Sequence, residues 1–314
     1  MSEEAPITPE PCCPCCEAVL DPRLSFSGLD RLHRTRGQFE VRRCPACGAG
    51  VTLPLANAAD LASYYPEAYG PYDDVLGPVA RRISRAIRWH QGRHALKGAP
   101  LSALRGAPAG RAVDVGCGRG DLAALFVERG WKVTGIEPSA GACRAARARG
   151  VDAREGTLAD VELESGAYDA AIFQHSLEHT PDPASDLEKV RVALRPGGLV
   201  LISVPNFASW QRLRFGDRWY HLDLPRHRTH FTPQALEAAL GRAGLQVESM
   251  ATSTSTVGLP ATLQYVIAGH CLFPRGLSLR VAAGLCVLTL PLARLIDSSR
   301  GGGDQLHAVA RRPL

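Results

Sequence analysis

An α/β chain, a mostly parallel sheet carrying helices on both faces, is the fold that this 314-residue sequence predicts, and three observations carry it. Short apolar strands alternate with helical patterns from about Arg111 to Val247, the rhythm of βαβ units. The first strand, Ala112 to Val115, runs into glycines at 116, 118 and 120 and then into the helical stretch DLAALFVERG. The next strand, WKVTGIE, ends in an acid, Glu137, about twenty residues past those glycines.

Each element has its own justification. Glycines at alternate positions let backbone N–H groups come close to a ligand, and the helix that follows turns its N-terminus toward that ligand. An acid at the end of the second strand is placed to accept hydrogen bonds from the two ribose hydroxyls of an adenosine. Dinucleotide enzymes share this layout, but the turn reads G-C-G-R-G rather than G-x-G-x-x-G, and Asp114 stands two residues before Gly116.

A third strand ends before Gly156-Thr157-Leu158, and Tyr168 to His175 reads as a fourth. SLEHTPDP then leads into a helix with Asp182 as N-cap and Pro183 at its first position. LRPGGLVLISVPN supplies a turn and a fifth strand, and Thr232-Pro233 begins the helix QALEAALGRAGL. QVESMAT is a sixth strand, and Gln305 to Ala310, after the glycine-rich 298–304, is the last.

This glycine turn, with Asp114, Glu137 and the strand end QHSLEH, resembles motif I and the acidic loop of class I S-adenosylmethionine-dependent methyltransferases. The core is also similar to the O-methyltransferases of quinone biosynthesis. The resemblance implies a Rossmann-like seven-stranded sheet and S-adenosyl-L-methionine as cofactor. The strand ends then place Asp114, Gly116, Cys117 and Gly118 near its methionine part, Glu137 on the ribose, Thr157 and Leu158 beside adenine, and Gln174 on the methionine side. It further implies that Tyr65 and Tyr69, in the segment YYPEAYGPY, fold over the cofactor as a lid; packing between domains is the other use open to four tyrosines in nine residues.

Ahead of the core lie two cysteine knuckles, CPCC at 13–16 and CPAC at 44–47. Their spacing fits a four-thiolate zinc ribbon built from Cys13, Cys16, Cys44 and Cys47. Cys12 and Cys15 form a competing C-x-x-C, but only the first register repeats the Cys-Pro of the second knuckle. Four thiolates close the coordination shell, so the expected zinc is structural, and a segment with so few apolar residues needs such a staple.

The chain accordingly divides into a ribbon at 1–60, a tyrosine-rich lid, basic helix and linker at 61–110, a core at 111–256 with an acceptor cap at 205–232, an apolar helical insertion at 257–298 and a last strand at 299–314. The net charge of +5 is concentrated: from Val75 to Val113 there are eight Arg or Lys and no acid. Val79, Ile83 and Ile87 share one face of an amphipathic basic helix there. The insertion has no acid from Val257 to Ile296, and its run Val281 to Ala293 is too short to span a bilayer. It reads as a helical pair against the core, a homodimer contact, or a segment that dips into a membrane surface. MSEEAPITPEP is unlike a signal peptide, and cysteines that include two knuckles at metal-ligand spacing suit a reducing compartment, so a cytoplasmic enzyme with possible peripheral membrane contact is expected.

Acceptor chemistry is expected at the cap, NFASWQRLRFGDRWYHLDLPRHRTHFT, which is rich in His, Arg and aromatics. It resembles the W-x-x-L-D-x-P-R-H-x-x-H-F-T segment of bacterial methyltransferases associated with polysaccharide and natural-product pathways. His221, Asp223, Arg226 and His230 are candidates for acceptor contact, and His179 and His227 for a general base, since imidazole titrates near neutral pH. The expected acceptor is a small molecule: a sugar, a natural product or an isoprenoid quinone. An RNA methyltransferase is a second reading, but SLEH stands where amino-methylating nucleic-acid enzymes carry N-P-P-[YF] or D-P-P-Y. A binding protein that keeps the fold without turnover is a third.

Overall fold

In the computed structural model, residues 11–54, 64, 98–272, 279–300 and 302–314 are described. Tyr65, Tyr69 and the basic stretch 79–97 lie outside them. Two sheets organise the chain. The larger has seven strands: β4 (Arg111–Val115), β5 (Lys132–Glu137), β6 (Asp152–Glu155), β7 (Tyr168–Gln174), β8 (Leu194–Pro205), β10 (Gln246–Ser253) and β11 (Gln305–Arg311). Their order is β10-β11-β8-β7-β4-β5-β6. The five from β8 to β6 run parallel, while β11 pairs antiparallel with both β8 and β10.

Strands β4 and β7 are almost wholly buried because they lie between helical layers on both faces, which is why they read as apolar runs rather than alternating ones. The helices are α1 (Asp121–Val127), α2 (Ala140–Arg147), α3 (Pro183–Ala193), α4 (Trp210–Phe215), α5 (Pro233–Arg242), α6 (Gly258–Ala268) and α7 (Leu279–Arg300). Their starts follow from side chains that satisfy otherwise orphaned N–H groups. Asp182 accepts from Ser185 N at 3.1 Å with Pro183 in the first turn, and Thr232 accepts from Ala235 N at 3.1 Å with Pro233 beside it.

Strand order reverses direction at β4: β5 and β6 follow it on one side, β7 and β8 on the other. A crevice therefore opens above the C-terminal ends of β4 and β7, the place where open α/β sheets bind ligands.

The smaller sheet contains β1 (Ser25–Gly28), β2 (Phe39–Arg43) and β3 (Gly50–Leu53) from the N-terminal segment. Its fourth strand is β9 (Thr229–His230), which comes from the cap and pairs antiparallel with β3. The boundaries drawn at 60 and 205 from the sequence thus separate elements of one sheet. Nor, among the described residues, does the ribbon have a core of its own. Phe39 and Val41 pack with Phe207, Trp219, Leu222 and Leu224 of the cap, and Leu20, Ala49 and Val51 join the cluster of Phe231, Ala235 and Leu236.

Helix α7 touches the body through Ala293 and Asp297, both buried, while Val287, Leu288, Leu292 and Leu295 are exposed. Asp297 bonds Trp210 of α4 and Thr254, which anchors the helix. Among the described residues no helix is long and apolar enough to cross a membrane.

Candidate active site

The turn after β4 carries the conformations that its glycines allow. Gly116, Gly118 and Gly120 all have positive φ, at 73°, 55° and 76°. A side chain on Gly116 would meet Ser176 Cβ at 2.5 Å, because Ser176 donates to the Val115 carbonyl at 2.6 Å and so ties the end of β4 to the loop after β7. Above Gly118 a Cβ would meet nothing within 4 Å among the described residues, so the backbone there is open. Glu137, at the end of β5, accepts from Gly118 N at 3.0 Å and from Ser139 N at 2.9 Å, which fixes its carboxylate beside that turn.

Asp114 is buried at the end of β4, and burial, followed by the neighbouring charge of Glu137, pushes its carboxyl up to about 7. Thr157 is exposed after β6 and folds back on Asp160, at 2.8 Å from its N–H and 2.7 Å from its hydroxyl. Leu158 is buried in the core cluster, and Gln174 is half-buried at the end of β7. Asp114, Gly116 to Gly118, Glu137 and Gln174 thus come to strand ends around one crevice. These residues fit an adenosine-type cofactor: an acid beside a glycine turn that leaves its backbone open.

Immediately after β7 the chain forms a second polar group. His175 has φ +54°, a conformation uncommon for a residue with a side chain. A 3-10 turn at Leu177–His179 follows and sends Glu178 inward, where only 1 % of it is exposed. Neither Glu178 oxygen has a hydrogen-bond partner among the described residues. His175 Nδ1 stands 3.5 Å from Oε1 and His227 Nε2 3.9 Å from it. Burial raises the Glu178 carboxyl, but His175 and His179 outweigh it and hold the group below its ordinary range. His179 and His227 meet edge to face with ring centroids 4.6 Å apart. Burial, then the charge of His179, holds His227 well below an ordinary histidine, so its imidazole is neutral at physiological pH.

The other cap residues expected to meet an acceptor are turned inward. Arg226 is fully buried and spends its guanidinium on Asp30 of the N-terminal segment, at 2.8 and 3.0 Å, and on Asp223, at 2.6 and 3.0 Å. It also donates to the carbonyl of Tyr64 at 3.2 Å. Asp30 in turn accepts the backbone N–H of Leu32, His33 and Thr35. His230 is buried, 3.0 Å from Thr52 Oγ1, and that hydroxyl donates to the His227 carbonyl at 2.7 Å. Since its one proton is committed, Thr52 accepts from His230 Nε2. Burial pulls His230 down to about 3. His221 pairs with buried Asp304 at 3.2 Å. An Arg, two His and an Asp on a soluble loop look like ligands for a substrate, but here they answer one another, the ribbon and Asp304. Only Asp223 keeps an oxygen toward the histidines, 3.8 Å from His227 Nε2.

Among the cysteines, one sulfur of each of Cys13, Cys16, Cys44 and Cys47 lies within 4.8 Å of the others. The Cys13–Cys47 and Cys16–Cys44 sulfurs are 3.6 and 3.4 Å apart. A tetrahedron with Zn–S bonds of ~2.3 Å has edges of ~3.8 Å, so the four thiols fit zinc. Cys12 is exposed, and Cys15 is buried outside this group. Thr232 donates to the carbonyl of Cys47 at 2.7 Å while capping α5, which joins the second knuckle to the core.

Sequence reasoning missed Glu178, Asp30 and His175. The signal for Glu178 was present: an acid with a histidine next to it and another three residues before it, directly after the fourth strand. Asp30 had none, because its partner lies 196 residues away.

Comparison with known proteins agrees with this geometry. A family profile described as a methyltransferase domain matches residues 88–250, more than half of the chain, and the chain belongs to that family. It is a class I S-adenosylmethionine-dependent methyltransferase. The ubiquinone biosynthesis O-methyltransferase of Azorhizobium caulinodans is 28% identical over 224 residues, 68% of this chain and 82% of the relative. The enzyme of that name from Xanthomonas axonopodis pv. citri is 32% identical over 157 residues, 46% of this chain and 66% of the relative. A chain from the complex between the Haloferax volcanii Trm112 methyltransferase activator and a methyltransferase superposes with a TM-score of 0.51 at 20% identity, over 76% of this chain and 95% of that one. That likeness concerns the fold.

Proposed function

We propose that this enzyme methylates a hydroxyl group of a small acceptor, of the phenolic or isoprenoid-quinone kind, held between the ends of β4 and β7 and the cap. S-adenosylmethionine supplies a methyl group on a sulfonium sulfur, which transfers in line to a nucleophilic atom. The Gly116 to Gly118 backbone and Asp114 hold its methionine part, Glu137 its ribose, Thr157 and Leu158 its adenine, and Gln174 borders the methionine side. The observation that carries the acceptor assignment is the cluster of Glu178, His179 and His227 beside the crevice, where an acceptor proton can be received. His179 or His227 takes that proton, and burial excludes water that would compete for alignment. The relatives named as ubiquinone O-methyltransferases support a hydroxyl as the acceptor atom.

The ribbon thiols hold a structural zinc. The exposed apolar residues Val287, Leu288, Leu292 and Leu295 of α7, within the acid-free stretch 257–296, support contact with a lipid surface that would present such an acceptor; failure to float with anionic liposomes would refute that contact. Calorimetry with S-adenosylmethionine tests the cofactor site. Glu137→Ala is expected to weaken binding by about 10–100-fold, the loss of hydrogen bonds to a charged group, and Gly116→Arg to abolish it. Unchanged affinity in both variants would refute the assignment. A mass-spectrometric screen of phenols, catechols and sugars for a gained methyl group tests the acceptor class.

A further inference from the structure

Along the joint between ribbon and cap, most arginines are answered by acids. Arg31 pairs with Asp217 at 2.5 Å, Arg42 with Glu40 at 2.9 Å, and Arg226 holds two aspartates. Arg212 of α4 is an exception. Its Nε is buried without a hydrogen-bond partner among the described residues, and Asp217, the acid nearest in effect, is already bound by Arg31. What touches the guanidinium is aromatic: Arg212 Cζ lies 4.3 Å from the centre of the Phe26 ring and 4.6 Å from that of Phe207. Burial, then the charge of Arg43, pulls Arg212 down to about 10, so it is still a cation at physiological pH.

Arg43 lies on the same face of the ribbon. In β2, Phe39 and Val41 are buried against the cap, and Arg43 follows at the same two-residue period, at the strand end where that face reaches solvent. It stands in register with Gly50 of β3, where a Cβ would meet Phe207 at 2.9 Å, so this end of the strand pair sits directly on the ring that Arg212 stacks against. Arg43 is exposed and makes no ion pair with an acid among the described residues. Two cations therefore share one edge of the joint with no carboxylate bound to either.

We propose that Arg212 and Arg43 bind a phosphate group, carried as a monoester or a diphosphate, at the edge of the joint between ribbon and cap. A guanidinium is flat and its N–H donors lie in its plane, so rings packed against it fix that plane and leave the donors to an oxyanion. Arginine meets phosphate with paired, charge-assisted hydrogen bonds, and two arginines match the two negative charges of a phosphate monoester, where a carboxylate would balance only one. Dehydrating the Arg212 charge without a partner is unfavourable, and an anion on its terminal nitrogens offsets that cost. A row of rings, Phe207 stacked on His230 at 5.2 Å and His230 beside His227 at 6.3 Å, runs from this edge to the histidines at the crevice. The phosphate is thus held away from the transferring methyl group, and the inference does not rest on the acceptor proposed above. A soluble phosphate ester and a lipid headgroup offer the same chemistry to this pair.

The test uses the full chain, titrated in a calorimeter with sodium pyrophosphate at low salt and floated separately with phosphatidylcholine vesicles with and without phosphatidic acid. Wild type is expected to bind pyrophosphate, which assigns the site to a soluble ester, or to float only where phosphatidic acid is present, which assigns it to a headgroup. In the assay that shows binding, Arg43→Gln is expected to weaken it by about 10-fold and Arg212→Gln by more than about 100-fold. Arg212→Lys, which keeps the charge and loses the flat fork, is expected to fall between wild type and Arg212→Gln. Arg42→Gln, whose guanidinium is bound to Glu40 on the other face of β2, is expected to change neither assay. No binding in either assay, or binding that Arg43→Gln and Arg212→Gln both leave unchanged, overturns the inference, as does an equal loss in Arg42→Gln and Arg43→Gln. Because Arg43 is exposed, its variant decides the matter even if the loss of Arg212 loosens the joint.

Discussion

The crevice above the large sheet and the joint between ribbon and cap are both lined with charged residues, yet they use them in opposite ways. Around the crevice, polar groups are few and sit at strand ends: Glu137, whose carboxylate accepts from Gly118 and Ser139, and Glu178, buried among His175, His179 and His227. In the joint they are many and spent: Arg226 binds two aspartates and His230 a threonine, while His221 beside them pairs with Asp304 ahead of β11. Charge density on a loop therefore says little about ligand contact until the partners are known.

Removing the zinc proposed for the ribbon thiols should split the two regions most widely. With the thiols unjoined, the N-terminal segment has too little apolar surface to stay folded, so chelation is expected to open amides of residues 11–53 and of the cap 205–232 to hydrogen exchange while β4 and β7 remain protected. Equal loosening of β4 and β7 would erase the distinction. A smaller effect is expected from Arg226→Met, which leaves Asp30 and Asp223 buried without their cation. Breaking a buried pair in this way costs about 3–5 kcal/mol, measurable by urea denaturation, and a loss within error of zero would show that the joint carries no such strain.

The smallest and sharpest contrast is in pH. Asp114 rises from 3.8 to about 7 on folding, so the native state holds the extra proton, and this group's stabilisation is lost as pH climbs through that window. His230 falls from 6.5 to about 3, so the unfolded state holds the extra proton, and its contribution is lost as pH drops below 6.5. Melting temperatures across pH should show that Asp114→Asn flattens the decline toward neutrality, while His230→Gln, which keeps a donor for Thr52 without a charge, flattens the decline toward acid. Parallel curves for both variants would contradict the opposed signs.

The core was legible because its signals are local. The glycines after β4, Glu137 at the end of β5, and Asp182-Pro183 and Thr232-Pro233 at helix starts each declare their geometry within a few residues, and the strands follow from apolar runs. The cysteine spacing placed the ribbon for the same reason. What the sequence hid was pairing at long range. Arg226 and His230 have the composition of ligands, and only the fold brings Asp30 and Thr52 to them. Glu178 lay in plain view within SLEH, but its burial depends on the cap arriving over it, where Arg228 N donates to its backbone carbonyl at 2.8 Å.

The two-residue strand β9 has a consequence for how the protein is made. The sheet begun by residues 25–53 lacks its last strand until Thr229 and His230 have left the ribosome, and at about 5–20 residues per second that interval is roughly 10–40 s. Over that time the knuckle cysteines are a nascent chain's loose end, open to premature metal capture or oxidation. A protein whose earliest residues can be finished only by its later ones depends on the cell to guard those thiols during translation.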